Sequence, residues 1–479
     1  MQQQNVNIHN VPLYKPDILP TKVEDRTWKF GQYFSVWMGS VHNIPAYVTI
    51  GGFFALGLSI KEVFSIIFIS SIILAGMLIL NGQAGYKYGI PFSILLRKSF
   101  GNKGAIFPGV LRGVIAAIMW FGLQTYAGSI ALTILIGKLW PTYLTLGGSW
   151  NFFGLSLPGL LSLLLFWSIN VLFIFGGMKK IGSLSKVLSP LIFIVFGGMA
   201  IWAINLAGGV SSILDYTPKG VEGNRGFILL ICISAILSTW VAPIVSASDL
   251  TRFSKSNKDQ LIGQITGLLC SYLLFGLASI SIIVGSEIAF GTPIWNVLDV
   301  VEKFDMLFAV LLTLLTLCLS TLSINIVANI IPSGNQLSSL FPKILSFRTS
   351  AIIATVCGMA IMPWKLMENP TSIFTFLSII GGLLSPVIGI MLTNYYLVSR
   401  RNLLVDRLYF PSKEDRAYHF PAIIATIFAG TMSLAGSFIP VLQPLYEVAW
   451  FTGIILASSS YLFLNYLWER IGFKISGTC

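Results

Sequence analysis

Two tryptophans, a glutamine and a pair of asparagines stand inside long apolar runs of the chain, where polar and indole groups need a reason. Trp120 and Gln124 are four apart in IMWFGLQTYAG, so on a helix they share a face. That pairs a flat apolar ring with an amide that both donates and accepts. Trp240 lies three residues before Pro243 in LSTWVAPIV. Asn325 and Asn329 repeat the four-residue spacing in LSINIVANI, just after Ser320 and Ser323, and His42 and Asn43 precede Pro45 in WMGSVHNIPAY. Amides, hydroxyls and aromatic faces suit a small, flat, neutral molecule with alternating N–H and C=O groups. Each indole stacked on such a ring adds about 0.5–1.5 kcal/mol beyond area burial. An anion needs Arg or Lys and a cation needs Asp or Glu, and this reading places neither in these runs. Each residue also has a plainer reading: indoles pack between helices, and Ser and Asn tie helices together at about 0.6 kcal/mol each.

The elements that carry these residues are read from composition. Of 479 residues, 55% are hydrophobic and 10% charged, whereas soluble domains are about a quarter charged. Mean hydropathy is +0.82. That excludes a cytosolic enzyme, a disordered chain and a nucleic-acid-binding module. Twelve runs are long enough to cross about 30 Å of hydrocarbon as helices. They lie near 33–58, 63–85, 113–137, 156–177, 187–208, 226–248, 261–284, 306–331, 350–367, 371–397, 420–440 and 446–468. The expected fold is therefore an all-α integral membrane protein with twelve transmembrane helices.

Of the 30 Lys and Arg residues, only Lys61, Lys138, Lys219, Arg225, Lys303 and Lys365 fall in odd-numbered loops. Arg112 is counted with the second loop. This asymmetry predicts a multi-pass protein of the cell membrane with both termini in the cytoplasm. It also explains the net charge of +12 without a nucleic-acid partner; anionic lipid is the expected neighbour. Residues 1–30 and 471–479 read as cytoplasmic tails. The five cysteines form no CxxC pair, and no obligatory protein partner is expected.

Spans 1 and 6 both carry proline and polar residues within them: Gly39, Ser40, His42, Asn43 and Pro45 in one, Ser238, Thr239 and Pro243 in the other. Proline removes a backbone donor and frees a carbonyl that needs a partner. Matching interruptions five spans apart predict two inverted five-helix repeats, 31–208 and 226–397, with two further helices over 420–470. Simple kinks are the alternative. With three histidines in all and only His42 within a span, a membrane-embedded enzyme is not expected.

The chain resembles the nucleobase:cation symporter-1 family, which includes hydantoin, allantoin, uracil, uridine, cytosine and purine permeases. The resemblance covers almost the whole chain. It rests on WMGSVHNIPAY, NGQAGYKYGIPF, IMWFGLQTYAG, SDLTRF, LSINIVANI and MPWKLM. The first two strings are most like those of bacterial allantoin permeases. The resemblance implies a LeuT-like five-plus-five fold with helices 1 and 6 broken. It implies a planar substrate sandwiched by Trp120 and Trp240, with its edge bonded by Gln124, Asn329 and Asn43. It implies a cation site built from Gly39, His42, Ser320 and Ser323. There the second hydroxyl position falls on Ile324, which has no side-chain oxygen, so sodium is one ligand short.

The expected function is cation-coupled import of a nucleobase-like or ureide compound by alternating access. Allantoin or hydantoin is favoured as substrate. The coupling ion is H+ or Na+, with proton favoured and His42 its candidate carrier; no cofactor is expected. The alternative is a uracil, uridine or other purine/pyrimidine permease of the same family, with sodium coupling. Asp249 and Arg252 read as a solvated ion pair or an inner gate. Gly381, Gly382, Ser385 and Pro386 read as a bending or close-packing segment.

Overall fold

The computed structural model describes residues 18–175, 177–218, 220, 223–294, 296–301, 303–367, 370–412 and 415–476. The expected tails at 1–30 and 471–479 lie partly outside these residues. So do Lys219 and part of the loop at 399–419.

The described residues are almost entirely helical. Helix α1 spans Phe30–Val41 and α2 Ile44–Ala55. Helix α3 spans Ile60–Tyr88 and the short α4 Phe92–Phe100. A continuous rod, α5, runs Ile106–Leu139. Next come α6, Leu157–Ile174, and α7, Gly177–Leu206. Helix α8 spans Arg225–Thr239, α9 Val241–Val245 and α10 Asn257–Phe290. Helix α11 runs Leu307–Leu340 and α12 Phe347–Ala360. The last three are α13, Pro370–Thr393, α14, Phe420–Ala435, and α15, Ala449–Ser476.

Local sequence sets the boundaries. Ser59 and Glu62 form a capping box at the start of α3, and Gly89, at φ 73°, ends it. Ser256 caps α10 through the Asp259 N–H, and Gly291, at φ 74°, stops it.

Six described helices are long and apolar enough to cross a membrane, or seven if one bent pair counts as a span. Four shorter apolar helices accompany them: Ile44–Ala55, Pro190–Leu206, Arg225–Thr239 and Phe347–Ala360. Large side chains such as Leu172, Ile194, Ile201 and Phe463 face outward and exposed. So much exposed apolar surface requires an apolar surrounding.

Packing separates the helices into groups. Helix α10 packs on α1 and on α3, and α3 on α8, while α5, α6, α11 and α12 form a second cluster. Helix α7 touches both, and α13, α14 and α15 form a third group against α8. The candidate site lies between the first two.

Several element boundaries differ from those read in the sequence. Helix α5 begins at Ile106, seven residues before the expected 113, and α7 begins at Gly177 rather than 187. Helix α11 continues to Leu340, well past 331. Past 331, α11 continues into the mostly polar and mostly buried stretch 332–340, which the apolar run does not include. Helix α13 runs straight through Gly381 and Gly382. There Gly381 packs on Ser238, and a Cβ would meet its hydroxyl at 2.4 Å, so close packing is the observed role.

Candidate functional site

Asn43 organises the interruption between α1 and α2. Its backbone N–H donates to the Val41 carbonyl at 2.9 Å. Its Nδ2 donates to the carbonyls of Ser40 (2.9 Å) and Val41 (3.2 Å), and its Oδ1 accepts from the Ala46 N–H at 3.1 Å. One side chain thus closes α1 and caps α2. Pro45 occupies the first turn of α2, where a missing N–H costs nothing. It starts the second helix rather than kinking one helix. In the other interruption helical geometry lapses at Trp240, between α8 and α9. Pro243 cannot donate to the Thr239 carbonyl four residues earlier.

These two interruptions meet α5 and α11 around a small cavity of ≈ 20 Å³. It is lined by Asn43, Trp120, Gln124, Thr239, Trp240, Pro243, Ile324, Ala328 and Asn329. All five side chains expected at the substrate are therefore brought together. Trp120 packs edge-on to Phe376 at 4.8 Å, and Trp240 edge-on to Trp37 at 5.6 Å. Trp120 Nε1 and Gln124 Oε1 are buried without a partner in the protein. An unmet buried polar atom costs about 1–3 kcal/mol unless something fills it, so both point to a polar guest.

Asn329 stands in a π-helical turn, Ile326–Ile330. Such turns are frequent at functional sites. Its Nδ2 donates to Asn325 Oδ1 at 2.8 Å. Asn325 in turn donates to Thr125 Oγ1 (3.0 Å) and Asn170 Oδ1 (3.2 Å). Asn325 and Asn170 are both fully buried, so the network fixes the Asn329 carboxamide. Trp37 and Asn170 escaped the sequence reading. Each lies among other aromatic and polar residues, Phe34, Ser35 and Ser40 around Trp37 and Trp167 and Ser168 beside Asn170, so residue type alone does not single it out.

Residues expected at the cation site also converge. Ser320 Oγ lies 2.9 Å from the Gly39 carbonyl oxygen and 2.6 Å from that of His42, so its hydrogen bond engages them. Ser323 Oγ is buried without a protein partner. It stands 3.4 Å from where a Gly39 Cβ would be. His42 lies outside the cavity lining. Its Nδ1 is 3.1 Å from the Met38 carbonyl, and its ring sits between Phe196 (4.7 Å) and Phe275 (5.6 Å).

Two placements correct the sequence reading. Asp249 and Arg252 are 1% and 8% exposed, not solvated, and Asp249 Oδ1 accepts from the Phe92 N–H at 3.1 Å. Arg112, counted as a loop cation, is 0% exposed inside α5. The early start of α5 carries it into the interior, so a cation is present near the site after all.

The chain matches the family model for permeases of cytosine/purines, uracil, thiamine and allantoin over residues 20–453. It belongs to that family. It is 40% identical to the allantoin permease of Bacillus subtilis (strain 168), over 97% of this chain and 94% of that one. It is 48% identical to a protein of Escherichia coli (strain K12) whose allantoin-permease name is provisional, over 94% of each chain. Its fold is that of Mhp1, a nucleobase-cation-symport-1 transporter solved in a closed conformation with bromovinylhydantoin bound. There the TM-score is 0.80 at 23% identity, with 96% of both chains covered. The chain is accordingly a multi-pass membrane transporter of nucleobase- or ureide-type compounds and not an enzyme.

Proposed function

We propose that this chain imports allantoin or a related hydantoin by cation-coupled symport, with the ring held between Trp120 and Trp240. The observation that carries the reading is the lining of the cavity. Two indoles, the unpartnered Gln124 Oε1 and the network-held Asn329 face one space. In this reading Gln124 and Asn329 bond the edge of the ring. Asn43 contributes through the lone pair left on Oδ1, because its amide hydrogens are engaged by the α1 carbonyls. The freed Thr239 carbonyl is a further acceptor for a ring N–H. Relatives named as allantoin permeases support the substrate choice.

Proton coupling is favoured over sodium. Ser320 engages the carbonyls of Gly39 and His42 with a hydroxyl, and Ile324 offers no oxygen. Sodium is a hard cation that wants several oxygen ligands, and this set is poor in free ones. The apolar cage around His42 favours a packing role for that ring, since a buried charge needs a partner. We further propose twelve spans, with inverted repeats at 31–208 and 226–397, helices 1 and 6 discontinuous, and both termini in the cytoplasm of a cell-membrane protein.

The test is uptake of labelled allantoin, hydantoin, uracil, uridine and cytosine in cells expressing the chain, with and without sodium and a protonophore. Allantoin or hydantoin uptake that ignores sodium and collapses with the protonophore is expected. Sodium-dependent uptake of uracil or uridine instead would overturn both the substrate and the ion.

A further inference from the structure

Arg112 has an environment that no loop cation needs. It occupies a π-helical turn of α5, Leu111–Ala116. Its Nε donates to the Ala242 carbonyl and to Ser246 Oγ (3.2 Å). Its Nη2 donates to Ser246 Oγ (2.8 Å) and to the Ala328 carbonyl (2.6 Å). One acceptor is available for a sequence reason: the helical partner of the Ala328 carbonyl is the nitrogen of Pro332, which has no hydrogen. The Ala242 carbonyl, in the one-turn helix α9, takes the guanidinium in addition to the Ser246 N–H at 3.2 Å.

Both acceptors belong to walls of the candidate cavity. Ala328 lines it and precedes Asn329, while Ala242 lies between Trp240 and Pro243. One guanidinium therefore joins the α9 wall, which packs on α13 and α3, to the α11 wall in the second cluster. It does so from a position eight residues before Trp120, or about 12 Å along the same helix. Burying a guanidinium is costly unless its donors are met. Here Nε and Nη2 are met by the Ala242 and Ala328 carbonyls and by Ser246 Oγ, while Nη1 is buried without a partner in the protein.

We propose that Arg112 is a positioning residue for the candidate site: by bridging the Ala242 and Ala328 carbonyls it sets the separation of the Trp240–Pro243 and Ala328–Asn329 walls, and with it the size of ring admitted. This rests on reading the cavity as the substrate site. Lysine keeps the charge, but as a point donor it does not reproduce the planar fork that reaches both carbonyls.

Two measurements test this in purified full-length protein. The first is competition binding of hydantoin, allantoin, uracil and a bulky 5-substituted hydantoin to wild type, Arg112→Lys and Ser246→Ala. The expected result is a change of about tenfold or more in the affinity ratio between bulky and small rings for Arg112→Lys, and a smaller change in the same direction for Ser246→Ala. The second needs no ligand. Thr239→Cys and Ile324→Cys, on a Cys270→Ser/Cys357→Ser/Cys479→Ser background, are bridged with bifunctional thiol reagents of graded length. Arg112→Lys is expected to shift the preferred spacer. If affinity ratios and preferred spacer both stay at wild-type values while only the folded fraction falls, Arg112 is merely structural and the proposal is overturned. If wild type binds none of the rings but the spacer preference shifts, the substrate reading fails while the wall-setting role of Arg112 stands.

Discussion

The Ser320 hydroxyl and the His42 carbonyl oxygen are 2.6 Å apart, although 278 residues separate them in the chain. The hydroxyl engages a backbone acceptor exposed by the end of α1 and ties α11 to that interruption. Replacing it changes what the carbonyl can do. Ser320→Ala combined with Ile324→Thr removes the competing hydroxyl and adds an oxygen beside Ser323. Uptake by the double variant is expected to depend on sodium more strongly than wild-type uptake. Sodium-independent uptake in both would sink the idea that these two positions select the ion.

The indole pair is expected to dominate affinity. Trp120→Ala and Trp240→Ala each remove a stacking face along with its buried area, and each is expected to weaken binding tenfold or more. Trp120→Phe, which keeps a smaller ring, is expected to lose less. Competition binding against labelled allantoin and hydantoin checks the order.

Gln124 separates function from stability. Its Oε1 meets no partner in the protein, so Gln124→Met is expected to leave the melting temperature unchanged or raise it. The same substitution is expected to weaken substrate binding by about 1–1.5 kcal/mol, roughly tenfold. A parallel loss of stability and binding would assign Gln124 to packing instead.

Asn43 is expected to behave in the opposite way. It caps α2 and closes α1, so Asn43→Ala is expected to destabilise the fold by about 0.5–2 kcal/mol. Asn43→Asp keeps the acceptor for the Ala46 N–H but loses the donors to Ser40 and Val41. Thermal unfolding in detergent is expected to rank wild type above Asp, and Asp above Ala.

Outside the spans, Asp415 gives a pH signature. Hydrogen bonds from the Ser412 backbone N–H and hydroxyl hold its carboxyl below the usual range, and the nearby Arg407 and Lys98 charges add to this. A depressed carboxyl stabilises the folded state above its unfolded pKa, about 3.9. That contribution is lost as pH falls through the lower folded value. The stability difference between wild type and Asp415→Asn is therefore expected to stay constant from pH 5 to 8 and to shrink below pH 4. A difference that changes between pH 6 and 8 would point to another group.

The sequence by itself determined the membrane class and the residues that meet at the cavity. Apolar length and charge sparsity are properties of the chain alone, and i, i+4 spacing puts Trp120 with Gln124 and Asn325 with Asn329 on any helix. Proline likewise stands close to where α1 gives way to α2 and α8 to α9, because a missing N–H is a local fact. What only the tertiary structure decided is which freed group meets which partner. Arg112 reads as a loop cation until α5 is seen to start at Ile106, and the Ala328 carbonyl that receives it is 216 residues away. Asn43 reads only as a polar group in a span until its carboxamide is seen closing α1 and capping α2 as well as lining the cavity. Asp249 reads as solvated until Phe92 is packed against it. Spacing along a helix is fixed by its 3.6-residue period, but contacts between helices depend on packing, and one-dimensional order carries no record of that.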